Sequence, residues 1–198
     1  ALSQVQRNAI SNPATGLLIF QTDATSGFYY NSGTPAIPVW TSLGATGSGW
    51  QLGGNSGTNP ATNFIGTTDD APLRLKVNKV NAGYIDSTSY LTSIGFRALD
   101  AVTTGEYNTA VGHSALRANT TGSNNVANGS YALYANITGS NNAANGIAAL
   151  YFNTTGSNNT ANGSHALFTN TTGFNNTANG TQSLYNNTIG QLNTGIGM

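Results

Sequence analysis

The stretch Gly163–Asn179 reads GSHALFTNTTGFNNTAN, and Gly146–Asn162 before it reads GIAALYFNTTGSNNTAN. They are two copies of one pattern, close to G-x-x-A-L-x-x-N-T-T-G-x-N-N-T-A-N. The leading glycine recurs at Gly95, Gly112, Gly129, Gly146, Gly163, Gly180 and Gly197, always 17 residues after the last. That makes six full periods and the start of a seventh. A fixed short period is the sequence sign of a solenoid, in which each unit buries its apolar positions only against its neighbours. Seventeen residues are too few for the helix pairs of common α-solenoids, whose repeats run to about 34 residues or more.

A second glycine series, Gly105, Gly122, Gly139, Gly156, Gly173 and Gly190, divides each period into segments of 10 and 7 residues. Asn-Gly, Thr-Gly and Asn-Thr are turn and strand vocabulary. This predicts two short strands per coil, joined at glycine corners, with neighbouring coils paired in parallel about 4.8 Å apart. Six such coils would extend about 29 Å.

Stacking sets like on like. Leu99, Leu116, Leu133, Leu150, Leu167 and Leu184 form an apolar ladder, each preceded by Ala or, at the end, by Ser183. Asn119, Asn136, Asn153, Asn170 and Asn187 form one amide ladder. Asn108, Asn125, Asn142, Asn159, Asn176 and Asn193 form another. Amide ladders and turn caps are structural uses of Asn. The residue after each Leu is Arg117, then Tyr134, Tyr151, Phe168 and Tyr185. Adjacent residues of a strand face opposite sides. On that reading the aromatic column lies opposite the Leu ladder and forms either a subunit contact or a glycan-stacking surface. Before the leading glycines stand Asn128, Asn145, Asn162 and Asn179, with Ile94, Val111 and Ile196 at the ends. If they point inward they are axial Asn residues, in a polar seam between apolar ends. If not, they are Asn-Gly turns.

Upstream, Leu2, Val5 and Ala9 or Ile10 follow helical spacing until Ser11-Asn12-Pro13, so residues 1–12 read as a short helical lead-in. Residues 13–92 read as a β-rich module, with strands near Leu17–Phe20, Phe28–Tyr30, Val39–Thr41, Phe64–Gly66, Leu73–Val77 and Ala82–Ile85. Residues 44–63 are rich in Gly, Ser and Asn and read as a linker. Residues 93–198 are the repeat.

The chain has 198 residues, with six basic and six acidic side chains and a net charge of zero. Most of the charges precede the repeat, and residues 118–198 carry none. This leaves no basic footprint for nucleic acid or a membrane surface. Without cysteine there is no disulfide framework or thiolate site. No apolar run is long enough to span a membrane. The chain opens at Ala1 without a signal-peptide pattern, which reads as a mature product or fragment. His113 and His165 hold different places in the repeat, so they form no metal ladder. Asp69-Asp70 before Pro72 reads as a solvated turn. No nucleophile, P-loop or zinc motif occurs, so neither an enzyme nor a cofactor is expected.

The corners Ala110-Val111-Gly112 and Gly195-Ile196-Gly197 resemble, in style and not in length, the β-roll heads of trimeric autotransporter adhesins. Gln6–Phe20, Phe28–Tyr30, Asn63–Val77 and the NTTGSNNTANGSHAL repeat at Asn153–Leu167 resemble bacterial surface and phage-like tail-fibre proteins. The resemblance implies a trimeric fibre outside the cell or on a phage or injection-system particle. The expected fold is all-β: an intertwined homotrimer of parallel β-solenoids of 17-residue coils, preceded by a small β-rich module. The expected function is a stiff fibre segment that presents a binding tip, with itself as partner and a cell-surface receptor or glycan beyond. One alternative is a glycan-binding adhesin using Tyr134, Tyr151, Phe168 and Tyr185. Another is an ice-binding repeat, suggested by Thr pairs at Thr120, Thr154 and Thr171 and interrupted by Ile137 and Ile189.

Overall fold

A computed structural model describes residues 1–24, 26–43, 58–59 and 64–197. The chain divides into two compact units, Ala1–Ile65 and Gly66–Met198. Nearly all the regular structure is β.

The first unit starts with helix α1, Gln4–Asn8. Ser3 accepts from the Gln6 N–H and the Gln6 side chain accepts from the Ser3 N–H, a reciprocal cap that sets the helix start. Strands β1 (Leu18–Gln21), β2 (Gly27–Asn31) and β3 (Trp40–Ser42) form an antiparallel meander. Buried Asn31 ties the meander together. Its Nδ2 donates to the Pro13 carbonyl at 2.8 Å, and its Oδ1 accepts from the N–H groups of Gly33 and Val39. The first three strands fall within a residue or two of their expected places. Phe64–Gly66, expected as a strand, is a bend. The proposed linker lies outside the described residues except at 58–59.

The second unit is built on a nine-stranded sheet. Its first strands, β4 (Leu73–Val77), β5 (Val80–Asp86) and β6 (Leu91–Ile94), are antiparallel. Then come three-residue parallel strands, one per coil: β7 (Thr109–Val111), β8 (Val126–Asn128), β9 (Ala143–Asn145), β10 (Thr160–Asn162), β11 (Thr177–Asn179) and β12 (Thr194–Ile196). The register is one period throughout, as in Thr160↔Thr177 and Asn162↔Asn179. The expected boundary after residue 92 is therefore displaced. The β4–β5 hairpin pairs with β6 and starts the solenoid sheet.

A second correction concerns the coil itself. Each has one strand, not two. The G-x-x-A-L segment is a succession of turns in which the third residue and the Leu both take left-handed conformations. Examples are Tyr131 and Leu133 at φ 60° and 49°, and His165 and Leu167 at φ 57° and 51°. Left-handed backbone disfavours side chains other than Gly by roughly 1–2 kcal/mol per residue. Here it redirects the amides between coils: the Leu133 N–H reaches the Ala149 carbonyl of the next coil, and the Tyr131 N–H reaches His113 of the previous one. The same kinked path puts Ala132 and Leu133 both fully inside, although they are adjacent. Strand alternation therefore does not apply here.

The core of this unit is a set of ladders: Leu99 to Leu167, the Ala preceding each Leu, and Ala110, Ala127, Ala144, Ala161 and Ala178 at mid-strand. Small side chains let the coil close on itself. The leading glycines serve the same end. Gly146 sits at φ 144°, a region essentially reserved for Gly, and a Cβ there would run into the backbone of Gly163.

Candidate functional site: two self-association surfaces

In the first unit the strand pairing sorts side chains to two faces. Leu18 lies opposite Tyr30 and Phe20 opposite Phe28, so these four share one face. Ile19, Tyr29, Gln21 and Asn31 take the other. That second face is covered. Arg7 of α1 is buried, with its guanidinium 4.6 Å from the Tyr29 ring centroid and 6.0 Å from that of Trp40. Its Nε and Nη2 donate to Asn8 Oδ1. Among the described residues of its unit, the first face has no such cover. Leu18 and Phe28 are each about half exposed, and the Phe20 and Phe28 rings meet edge to face at 5.0 Å. An apolar sheet face of this kind is a liability unless another surface covers it.

The second surface runs along the coils. Tyr134, Tyr151, Phe168 and Tyr185 form a continuous stack, with centroids 4.9, 5.3 and 5.0 Å apart and planes within 28° of parallel. The spacing is close to that of paired strands, because each ring rides on its own coil. Tyr131, Phe152, His113 and His165 widen the stack into a band, through contacts such as His113–Tyr131 and Phe152–Phe168. At the N-terminal end Arg117 donates from Nη1 to the Tyr134 hydroxyl at 2.9 Å. All four rings remain half-buried. Each flat face is largely taken by the next ring, which leaves mainly edges outward. Sugar stacking needs open faces, and packing against protein does not.

The Asn residues fall into three ladders. Two are buried. Asn136, Asn153, Asn170 and Asn187 each donate from Nδ2 to Oδ1 of the Asn one coil earlier and to a glycine carbonyl of their own coil. Asn125, Asn142, Asn159 and Asn176 also donate from Nδ2 to the Oδ1 one coil earlier, but their second acceptor is a glycine carbonyl of the next coil, and each donates its backbone N–H to that earlier Oδ1. The third set, Asn128, Asn145, Asn162 and Asn179, lies outside the core of the single chain. These residues are exposed on the strand face, where Asn145 donates to Asn162 and Asn162 to Asn179 at 2.9 Å. Ile94 and Ile196 share that outer position and are likewise exposed.

The hydroxyls of Thr120, Thr154 and Thr171 donate to carbonyls of the next coil, so they serve the solenoid's own backbone. Among the described residues no group of three or more metal-binding side chains gathers. Nor is any helix long and apolar enough to cross a membrane.

The strongest electrostatic perturbation lies where β5 leaves the sheet. Asp86 Oδ1 accepts from the Thr88 hydroxyl at 2.5 Å and from the Thr88 N–H, and Oδ2 accepts from the Tyr84 hydroxyl. The Thr88 hydroxyl does most to hold the Asp86 carboxyl down at about 2, against the opposing effect of burial. Burial, and then the bond to Asp86, push the Tyr84 phenol up. This is a turn clamp, not an acid-base pair, since both groups are locked in the forms they already hold near neutrality.

Residues 1–60 match the family model of a phage tail like trimerisation region. No curated protein and no solved structure matches the chain. The trimerisation region spans the meander whose apolar face lies open. Joined to a β-solenoid, it supports a structural trimeric fibre of the phage-tail-like kind and points to a non-enzymatic role.

Proposed function

We propose that this chain is a shaft segment of a homotrimeric fibre, carried on a phage, an injection-system particle or a cell surface, and that it holds a receptor-binding tip at a distance. One observation carries the reading: the segment matched to a trimerisation region is the one whose sheet leaves Leu18, Phe20 and Phe28 uncovered. The mechanism is mechanical. Every coil bonds to the next through parallel strands, turn amides and two buried amide ladders, so bending the stack means breaking many bonds together. Three such stacks side by side would cover the aromatic band and leave the charge-free coils little surface for proteases.

The test is sedimentation velocity on the intact chain and on Phe28→Glu. The intact chain should sediment as a trimer. A carboxylate on the open face should shift it toward monomer without changing the circular-dichroism signature of the solenoid. A Phe28→Glu chain with unchanged trimer stability would remove this face from the interface.

A further inference from the structure

The outer face of the nine-stranded sheet is apolar at its start. Leu75 of β4 lies opposite Gly83, and Gly83 opposite Ile94, so these positions share a face. Ile85 stands two residues from Gly83 on that face, and Val111 follows Ile94 by register. A Cβ at Gly83 would meet the Leu75 side chain at 3.0 Å, so Leu75 lies across the sheet there. Tyr90 and Tyr107 stack alongside, with centroids 4.5 Å apart and planes at 5°. Leu75, Ile85, Tyr90, Ile94, Tyr107 and Val111 are each 39–58% exposed, a patch that needs cover. Farther along the stack two columns change together. Ile94 and Val111 give way to Asn128, Asn145, Asn162 and Asn179, and then to Ile196. Tyr90 and Tyr107 give way to Asn124, Asn141, Asn158 and Asn175, and then to Leu192. Exposure alternates along Asn124–Asn128, so the first and last residues of that run share the outward side. The face is banded: two apolar levels, four amide levels, then one apolar level.

We propose that this banded face lies at the axis of the trimer, with two further copies of the chain as its occupants. The inference rests on the trimeric reading above and adds which side of the solenoid faces the axis. Two observations name copies of this chain as the occupant. The first is the tether. β4 begins at Leu73, eight residues after the first unit ends at Ile65. Copies joined through residues 1–60 therefore hold their sheet faces at high effective concentration. The second is self-matching. Around a threefold axis along the stack, each level meets only its own equivalents. Apolar levels then bury one another, and amide levels meet amides. An amide both donates and accepts, so Asn suits itself. Asn162 donates once to Asn179 and accepts once from Asn145, which leaves its second N–H for a neighbouring copy. A slip of one coil would set Val111 against Asn128 and Asn179 against Ile196, pressing amides onto apolar side chains. The bands therefore specify the in-register alignment. Each copy in a threefold ring meets its two neighbours through different patches, so this face and the aromatic band do not compete.

The experiment uses the full chain, which has no cysteine of its own. Asn162→Cys and, separately, Ile94→Cys place one thiol on an amide level and one on an apolar level. A short two-headed maleimide is added to each, and the products are read on a denaturing gel. One reagent molecule joins two of the three cysteines around an axis, so roughly two chains in three should run as linked dimers. A tagged Ile94→Cys chain assembled with untagged Asn162→Cys tests the register. Those levels lie four coils apart, about 19 Å, so links should join like with like only. Trimers that give no linked dimer at one of the two sites, or that link one site to the other, would overturn the proposal. Both positions are exposed in the single chain, and Val111→Cys replaces Ile94→Cys if that variant folds poorly. A parent chain that sediments as a monomer would instead remove the trimeric reading beneath the proposal.

Discussion

The residue that most shapes the coil is asparagine in the two buried ladders. A buried amide is costly unless its donors and acceptor are met. Each mid-ladder Asn meets them by repeating the arrangement of the coil before. Asn153 donates to Asn136 Oδ1 and the Gly156 carbonyl, and accepts from Asn170. Asn153→Ala should therefore strand Asn136 Oδ1 and one Asn170 N–H, while the Gly156 carbonyl keeps Asn142 as a donor, and destabilise the solenoid by about 2–4 kcal/mol, read as a lowered denaturant midpoint with unchanged m-value. Asp86 gives a pH counterpart. Its carboxyl lies near 2 when folded and about 4 when unfolded, so its stabilisation is present above pH 4 and is lost as pH falls toward 2. Thermal melts from pH 5 to 2 should show a fall that Asp86→Asn flattens. A parallel fall in the variant would assign the effect to other carboxylates.

At the scale of the element, much of the coil is legible in the sequence and one part is not. Period, strand register and the Leu and Asn ladders all follow from identical residues every 17 positions. Stacking forces equal residues to equal places whatever the backbone path. The path itself does not follow. Leu and Tyr carry no preference for left-handed backbone, yet Tyr131 and Leu133 adopt it because inter-coil hydrogen bonds compensate for the strain. That is why a second strand is expected and a string of turns is found. The exposed side of Asn128, Asn145, Asn162 and Asn179 was equally hidden, since Asn suits an inner ladder and an outer one alike. The start of the solenoid was missed because the β4–β5 hairpin lies outside the repeat. Because the coil is the unit of structure, deleting Gly129–Asn145 as one full period should leave a folded solenoid one coil shorter. Deleting eight residues from the same coil should not, as the ladders fall out of step. Circular dichroism and proteolysis of the two deletions distinguish these outcomes.

At the scale of the whole molecule, two surfaces lie partly open in the single chain: the Leu18, Phe20 and Phe28 face and the aromatic band along the coils. The first coincides with the trimerisation-region match, and only its strands were visible in the sequence. Which face lies open emerges from where Arg7 lands. The second was visible as a column of rings, but their mutual stacking, which turns edges outward, depends on the coil spacing. Both surfaces suit self-association. The most direct test of this account is the solution mass of the intact chain by sedimentation equilibrium. The account predicts three times the 20.3 kDa of a single chain across the concentration range. A mass equal to one chain at every concentration would contradict it.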